Sequence, residues 1–156
     1  MKDVYIFCDG GCRGNPGIGG WGTILQYTDP DGNLIEKELS GGNYQTTNNK
    51  MELTSAIKGL QALKEKCNVT ITTDSQYVVN GFNKGWVDGW IKNDWKTASK
   101  QPVKNQELWQ DLLFLVNLHS TKFVWVKGHN GHPENERCDA LANYEMDKLE
   151  ERNNAK

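Results

Sequence analysis

The sequence predicts an α/β fold: a five-stranded mixed sheet, part antiparallel meander and part parallel crossover, with helices on both faces. Three observations carry this. Apolar or alternating runs at residues 3–9, 20–28, 33–39, 68–73 and 122–127 read as strands. The second and third runs flank Asp29-Pro30-Asp31-Gly32, strong turn chemistry that makes them a hairpin. Helical patterns separate the third, fourth and fifth runs, as parallel crossovers require.

Each element has its own local reason. The first strand, residues 3–9, is bounded by Gly10-Gly11. Residues 47–64 are helical because Leu53, Ile57, Leu60 and Leu63 recur at helical spacing, with Thr47 or Asn48 placed to cap the start. Residues 75–83 form a short helix capped by Asp74 or Ser75, and a Trp-rich helical segment follows around residues 86–90. Residues 101–104 form an extended loop. Residues 105–119 are a helix with Leu108, Leu112, Leu115 and Leu118 on its faces. A Gly/His loop spans residues 128–132, and Pro133 opens the last helix at a position proline tolerates well. With no internal repeat, low-complexity tract or linker, the 156 residues suit one domain, residues 1–156.

Composition narrows the function classes. Apolar residues make up 37% and charged residues 24% of the chain, which is globular rather than disordered. No apolar run approaches the roughly 18 residues of a membrane span, and the N-terminus is not a signal peptide. Cys8, Cys12, Cys67 and Cys138 show no CxxC pair or disulfide spacing, so reduced thiols and a cytoplasmic location are expected. A zinc site from Cys8, Cys12, His129 and His132 is disfavoured, because Cys8 lies inside a strand and alternates face with its neighbours. Asn68-Val69-Thr70 is a glycosylation sequon without meaning in an unsecreted chain. The net charge is −2, yet residues 75–104 hold five lysines against two aspartates. A basic segment on an acidic body points to a local anionic partner.

Four acids stand apart. Asp9 closes the first strand and Asp74 the fourth. Glu52 lies on a stripe with Ala56, Gly59 and Leu63, and Asp139 lies next to the inward series Cys138, Leu141, Ala142 and Met146. In open α/β sheets, ligands gather outside the carboxyl ends of the strands. If the first and fourth strands are parallel neighbours, Asp9 and Asp74 are roughly 5 Å apart. Four converging carboxylates repel one another unless divalent cations hold them together. A hard-oxygen set of this kind suits Mg²⁺ or Mn²⁺, and two such ions about 4 Å apart serve an in-line phosphodiester displacement. Taken singly, each acid is as easily a turn former, a helix cap or a solvated helix residue. Taken together, that reading is weak.

Three other patterns need weighing. Gly17-Ile18-Gly19-Gly20-Trp21-Gly22 matches the dinucleotide-binding glycine pattern, but a strand and not a helix follows it, so it is rejected; glycines there allow backbone approach to a ligand or tight turns. Tyr77, Phe82, Trp86, Trp90 and Trp95 interleave with Lys84 and Lys92, a pattern that stacks on sugars or bases while ammonium groups meet phosphates. One or two of these tryptophans should be buried and at least one should line a groove. His129, ten residues before Asp139, is placed to move protons or help release product, whereas His132 reads as structural.

At this point the residues carry a resemblance. Asp9-Gly10-Gly11-Cys12-Arg13-Gly14-Asn15-Pro16-Gly17, Thr46-Thr47-Asn48-Asn49-Lys50-Met51-Glu52-Leu53, Thr73-Asp74-Ser75-Gln76 and Val126-Lys127-Gly128-His129 through Asp139 resemble bacterial type 1 ribonuclease H, in order and at family spacing over about residues 3–150. The resemblance implies a ribonuclease H-like fold and an Mg²⁺-dependent endonuclease, with Mn²⁺ able to substitute. It would cut the RNA strand of an RNA–DNA hybrid and leave 5′-phosphate and 3′-hydroxyl ends. It implies that Asp9, Glu52, Asp74 and Asp139 bind metal, that Asp9 bridges both ions and that His129 assists turnover. Cys12, Asn15, Asn48, Asn49 and Gln76 match positions contacting the hybrid minor groove, where 2′-hydroxyls are sensed. Thr47 and Asn105 match a DNA-phosphate pocket, and Trp86 matches an aromatic of the DNA-strand channel.

The chain also departs from the pattern. Gly11 stands where a serine is familiar, Cys8 where a threonine is, and Gln45 replaces an arginine that helps hold the DNA phosphate. Ile91-Lys92-Asn93-Asp94 replaces a strongly basic run, and one residue is inserted before Trp86. Weaker hybrid affinity and a shallower salt dependence than in a relative with the basic run are expected. Two other classes compete: a hybrid-binding module without catalysis, and a DNA nuclease or strand-transfer enzyme of the same fold. Clustered acids disfavour the first, since binding alone gains nothing from negative charge facing phosphates; the Asn15, Asn48 and Gln76 set disfavours the second. A monomer without a membrane or an obligate protein partner is expected.

Overall fold

Strand β1 (Lys2–Arg13) does not stop at Asp9, as the sequence reading had it, but runs on through Gly10 and Gly11 to pair Arg13 with Ile18. The reason lies above the strand. A Cβ on Gly10 would come within 2.6 Å of the Glu52 nitrogen, so the missing side chain admits a helix backbone and does not end the strand. The computed structural model describes residues 1–128 and 130–154. After β1 come β2 (Gly17–Thr28), β3 (Leu34–Thr46), α1 (Asn48–Gln61), β4 (Cys67–Thr73), α2 (Gln76–Asn83), α3 (Trp86–Lys92), α4 (Gln106–Leu118), β5 (Ser120–Trp125) and α5 (Pro133–Asn154).

The sheet order is β3-β2-β1-β4-β5. β1, β2 and β3 pair antiparallel, while β4 runs parallel to both β1 and β5. This is the expected mixed sheet. β2 starts three residues earlier than expected and β3 ends seven later, because Ser40 to Asn43 keep pairing with Gly22 to Gly19. The turn before β3 forms as its chemistry predicts: Asp29 Oδ1 accepts from the backbone N–H groups of Asp31 and Asn33, and Gly32 takes a positive φ of 85°.

The main core lies between the sheet and α1, α2 and α4. Val4, Ile6 and Cys8 of β1, with Val69 and Ile71 of β4, meet Leu53, Ala56, Ile57 and Leu60 of α1. The Thr47 hydroxyl accepts from the Lys50 nitrogen and Ser75 caps α2 in the same way, each satisfying an orphan N–H. In α4 the buried residues are Trp109 and Leu112, while Leu118 is exposed, so the leucine stripe read from sequence is only half of the inward face. Trp109 packs where a Cβ on Gly81 would collide with its ring.

α5 covers the other face across β1, β2 and β3. It approaches closely because β2 offers glycine there: a Cβ on Gly22 would lie 2.7 Å from the Leu141 Cβ, and one on Gly20 would strike the Ala142 carbonyl. In the glycine run that mimics a dinucleotide motif, Gly20 and Gly22 admit a helix, while Gly17 serves the tight β1–β2 turn, where a Cβ would strike the Arg13 carbonyl. Among the described residues, no helix is long and apolar enough to cross a membrane.

Candidate active site

The β1–β4 register pairs Cys8 with Thr73, which sets Asp9 and Asp74 side by side at the carboxyl ends of two parallel strands. Glu52 reaches them from the second turn of α1. Its Oε1 accepts a hydrogen bond from the Gly10 backbone N–H at 2.5 Å, the contact that the bare glycine allows. Carboxylate oxygens of Asp9, Glu52 and Asp74 all lie within 4.8 Å of one another. Asp139, in the second turn of α5, lines the same cleft of about 320 Å³ with Gly10, Asn48 and Asn49, but lies outside that tight trio.

At such separations each pair of charges repels by about 3 kcal/mol at an effective dielectric of roughly 20. That is a sizeable share of the roughly 5–15 kcal/mol that holds a domain folded. Without metal, the repulsion favours proton binding. Burial, and then the charges of Glu52, Asp74 and Asp139, push the Asp9 carboxyl far above its ordinary range. Burial and the Asp74 charge also raise Glu52, against hydrogen bonds from Asp9, Gly10 and Ser75. Among the described residues this is the one cluster of metal-ligand type. Its donors are all hard oxygens, which suit Mg²⁺ or Mn²⁺ and not a thiophilic ion.

The zinc alternative fails on geometry. Cys8 is buried, and burial first of all pushes its thiol up to about 12. Cys12 Sγ is turned to the Thr46 carbonyl at 3.2 Å. His132 Nδ1 accepts from the Asn135 nitrogen at 3.1 Å, and its ring lies 5.5 Å from that of Phe7. His132 is thus the structural residue the sequence indicates, capping the first turn of α5. His129 lies outside the described residues. Its neighbour Gly128 is packed against Asp74, where a Cβ would come 2.6 Å from Oδ2.

The residues matched to nucleic-acid contacts fall partly on the acid cleft, partly on a cavity beside it and partly on neither. Asn48 and Asn49 line the cleft beside the acids. Both also line an adjoining cavity of about 270 Å³ with Asn15, Pro16, Thr47, Lys104 and Asn105, which brings Thr47 and Asn105 together as expected. Asn15 Oδ1 accepts from the Asn48 backbone N–H at 3.2 Å and ties the β1–β2 turn to the start of α1. Gln76 is exposed at the first position of α2.

Trp86 lines neither cavity. It is 37% exposed, with its ring 6.4 Å from those of both Tyr77 and Trp90. Trp90 and Trp95 are half-buried, so none of the three is fully enclosed; the buried tryptophans are Trp21 and, with no exposure at all, Trp109, both outside the Trp-rich segment. Also missed were Gly10, the residue that lets Glu52 in, and Lys104, which lines the cavity with Thr47 and Asn105. The signal for Lys104 was its place next to Asn105.

The profile of the RNase H family matches residues 1–147. The Ribonuclease H of Hydrogenovibrio crunogenus is 57% identical over 149 residues, covering 96% of this chain and 99% of the relative. The Ribonuclease HI of Neisseria meningitidis serogroup B is 58% identical over 142 residues, covering 91% of this chain and 94% of the relative. Among solved structures, LC9-RNase H1, a type 1 RNase H with the type 2 active-site motif, gives a TM-score of 0.86 at 33% identity over 95% of this chain and 74% of that one. LC11-RNase H1, solved in complex with an RNA/DNA hybrid, gives 0.65 at 26% identity over 94% and 98%. The chain belongs to the ribonuclease H family, and within it to the bacterial type 1 enzymes.

Proposed function

We propose that the protein is an endonuclease that hydrolyses the RNA strand of RNA–DNA hybrids, leaving 5′-phosphate and 3′-hydroxyl ends. The observation that carries this is the trio Asp9, Glu52 and Asp74 within 4.8 Å, with Asp139, Asn48 and Asn49 on the same cleft. Family membership and the hybrid-bound relative support the substrate. Asp9, Glu52, Asp74 and Asp139 would hold the divalent ions, with Asp9 shared between them. Mg²⁺ is the natural fit, and Mn²⁺ suits the same oxygens. Bound there, two such ions supply an activated water and stabilise the leaving oxygen.

The chain's own groups then divide the work. The acid cleft positions the scissile phosphate, where a water oxygen bonds to phosphorus as the bond to the 3′ oxygen breaks. That oxygen leaves with a proton as the 3′-hydroxyl, and His129 assists turnover. Asn48, Asn49, Asn15, Gln76 and Cys12 lie along the minor groove of the hybrid and sense 2′-hydroxyls. Thr47 and Asn105 hold a DNA phosphate, and Trp86 lines the DNA strand. The whole chain acts as one catalytic domain, a monomer in the cytoplasm, in keeping with four free cysteines.

The test is cleavage of labelled RNA–DNA hybrid, duplex DNA and duplex RNA, each with Mg²⁺ or with EDTA. The expected result is cutting of the hybrid alone, in Mg²⁺ alone. An intact hybrid in Mg²⁺, or duplex DNA cut as readily, contradicts the proposal.

A further inference from the structure

Arg13 ends the strand that carries Asp9, four residues further on, and among the described residues the polar partners of its guanidinium all lie on α5. Nη1 lies 2.8 Å from Asp147 Oδ1 and 3.0 Å from Glu150 Oε2. Nη2 donates to Asn143 Oδ1 at 3.1 Å. Asn143 in turn donates from Nδ2 to the backbone carbonyl of Asp139 at 3.0 Å. A line of polar contacts therefore runs from β1 to the residue that completes the acid cleft.

The rest of the α5 seat shows why this matters. Beneath the helix lie Gly20 and Gly22, and Gly11 faces Met146. Glycine surface permits close approach but gives no directional hold against sliding or rotation. The Cys138 thiol donates to the Phe7 carbonyl at 3.2 Å, and a thiol is a weak donor. Arg137 fastens the helix strongly, but to Glu36 and Glu38 of β3, a strand with none of the four acids. The charged, forked bonds between α5 and the strand of Asp9 are those of Arg13.

We propose that Arg13 is a positioning residue that fixes where Asp139 stands relative to Asp9. It acts by holding α5 and does not touch substrate. Two carboxylates and an amide already occupy its guanidinium, so it is not a free cation awaiting a phosphate. The inference rests on the proposed role of the four acids in holding divalent ions.

The test uses the full chain with Arg13→Met and Arg13→Lys. On the hybrid, Arg13→Met is expected to lower kcat about tenfold, as loss of a ligand-orienting contact does, with KM changed less than about twofold. Lys is expected to recover part of this, because an ammonium reaches one carboxylate but lacks the fork. The second readout is paramagnetic relaxation of the Arg152 amide, in the last turn of α5, by Mn²⁺ in the protein alone. Arg152 stands about 20 Å along α5 from Asp139, far enough for its signal to survive and near enough for a displacement of the helix to change it; its relaxation is expected to change in Arg13→Met and partly return in Arg13→Lys. A KM rise at constant kcat makes Arg13 a substrate contact and overturns the inference. Unchanged Arg152 relaxation overturns it whatever the kinetics. Should the unaltered protein fail to cut the hybrid, the functional proposal falls instead, while the relaxation measurement still decides the role of Arg13.

Discussion

Glu52 is held in place by Gly10: the strand amide donates to its carboxylate at 2.5 Å, and only a residue without a Cβ lets the α1 backbone come that close. One position on β1 thus sets the approach of the second acid to the first. Gly10→Ala should force α1 outward and part Glu52 from Asp9. Overpacking at a backbone contact costs about 1–3 kcal/mol, and a displacement on the order of 1 Å costs about a hundredfold in rate. Thermal denaturation beside hybrid cleavage checks this; an active, equally stable variant would show that the close approach is dispensable.

The raised carboxyls of Asp9 and Glu52 predict a dependence on pH without metal. Asp9 and Glu52 have their carboxyls raised above the ordinary 3.8 and 4.5. The folded form therefore binds protons more tightly than the unfolded, and this stability is full below those values and lost as pH rises through the folded ones. In EDTA the wild type should lose stability relative to Asp9→Asn between about pH 5 and pH 8. Mg²⁺ at about a hundred times its Kd should add roughly 2.7 kcal/mol to the wild type. Melting curves at both pH values, with and without Mg²⁺, give the comparison; a wild type that gains on the variant as pH rises in EDTA would refute it.

Tyr77 serves two donors. Its hydroxyl accepts from Trp109 Nε1 at 2.9 Å and from Asn105 Nδ2 at 3.2 Å. Tyr77→Phe leaves the indole N–H of a fully buried tryptophan unpaired, at a cost of about 1–3 kcal/mol. It also frees Asn105, whose φ of 60° is strained without that anchor. Lower stability together with a raised KM for the hybrid is the expected pair of results. A stability loss with unchanged KM would separate Tyr77 from the proposed phosphate pocket.

Lys104 bears on the proposed site for a DNA phosphate. It lines the cavity with Thr47 and Asn105, so it is placed to meet a phosphate there. Lys104→Ala should weaken hybrid binding across sequences and reduce the slope of log K against log salt by about 1. Binding isotherms at several salt concentrations measure this, and an unaltered slope would place Lys104 outside the contact.

Much of this was legible in the sequence, because the informative features were local. The Asp29 turn, the Thr47 and Ser75 caps, Pro133 and the apolar periods of α1 each act within a few residues, and they fixed element order and sheet class. Asp9 and Asp74 were recognisable as neighbours because strand ends in parallel register are a topological consequence. What escaped was long-range. Gly10, Gly20 and Gly22 read as turn or ligand glycines, since nothing nearby in sequence shows a helix backbone descending on them. Trp109 was hidden behind the leucine pattern of α4, its pocket being made by Gly81 of another helix. Arg13, an ordinary turn-side cation in sequence, acquires its meaning from carboxylates more than a hundred residues away.

The central claim is that the acid cleft, through Asp9, cuts the hybrid and does not merely bind it. Single-turnover cleavage of a labelled RNA–DNA hybrid in Mg²⁺ by Asp9→Asn, beside its binding of the same hybrid, tests this most directly. The predicted result is retained binding with a rate reduced by roughly three orders of magnitude, about 4 kcal/mol of barrier. Cleavage at the wild-type rate would contradict the account.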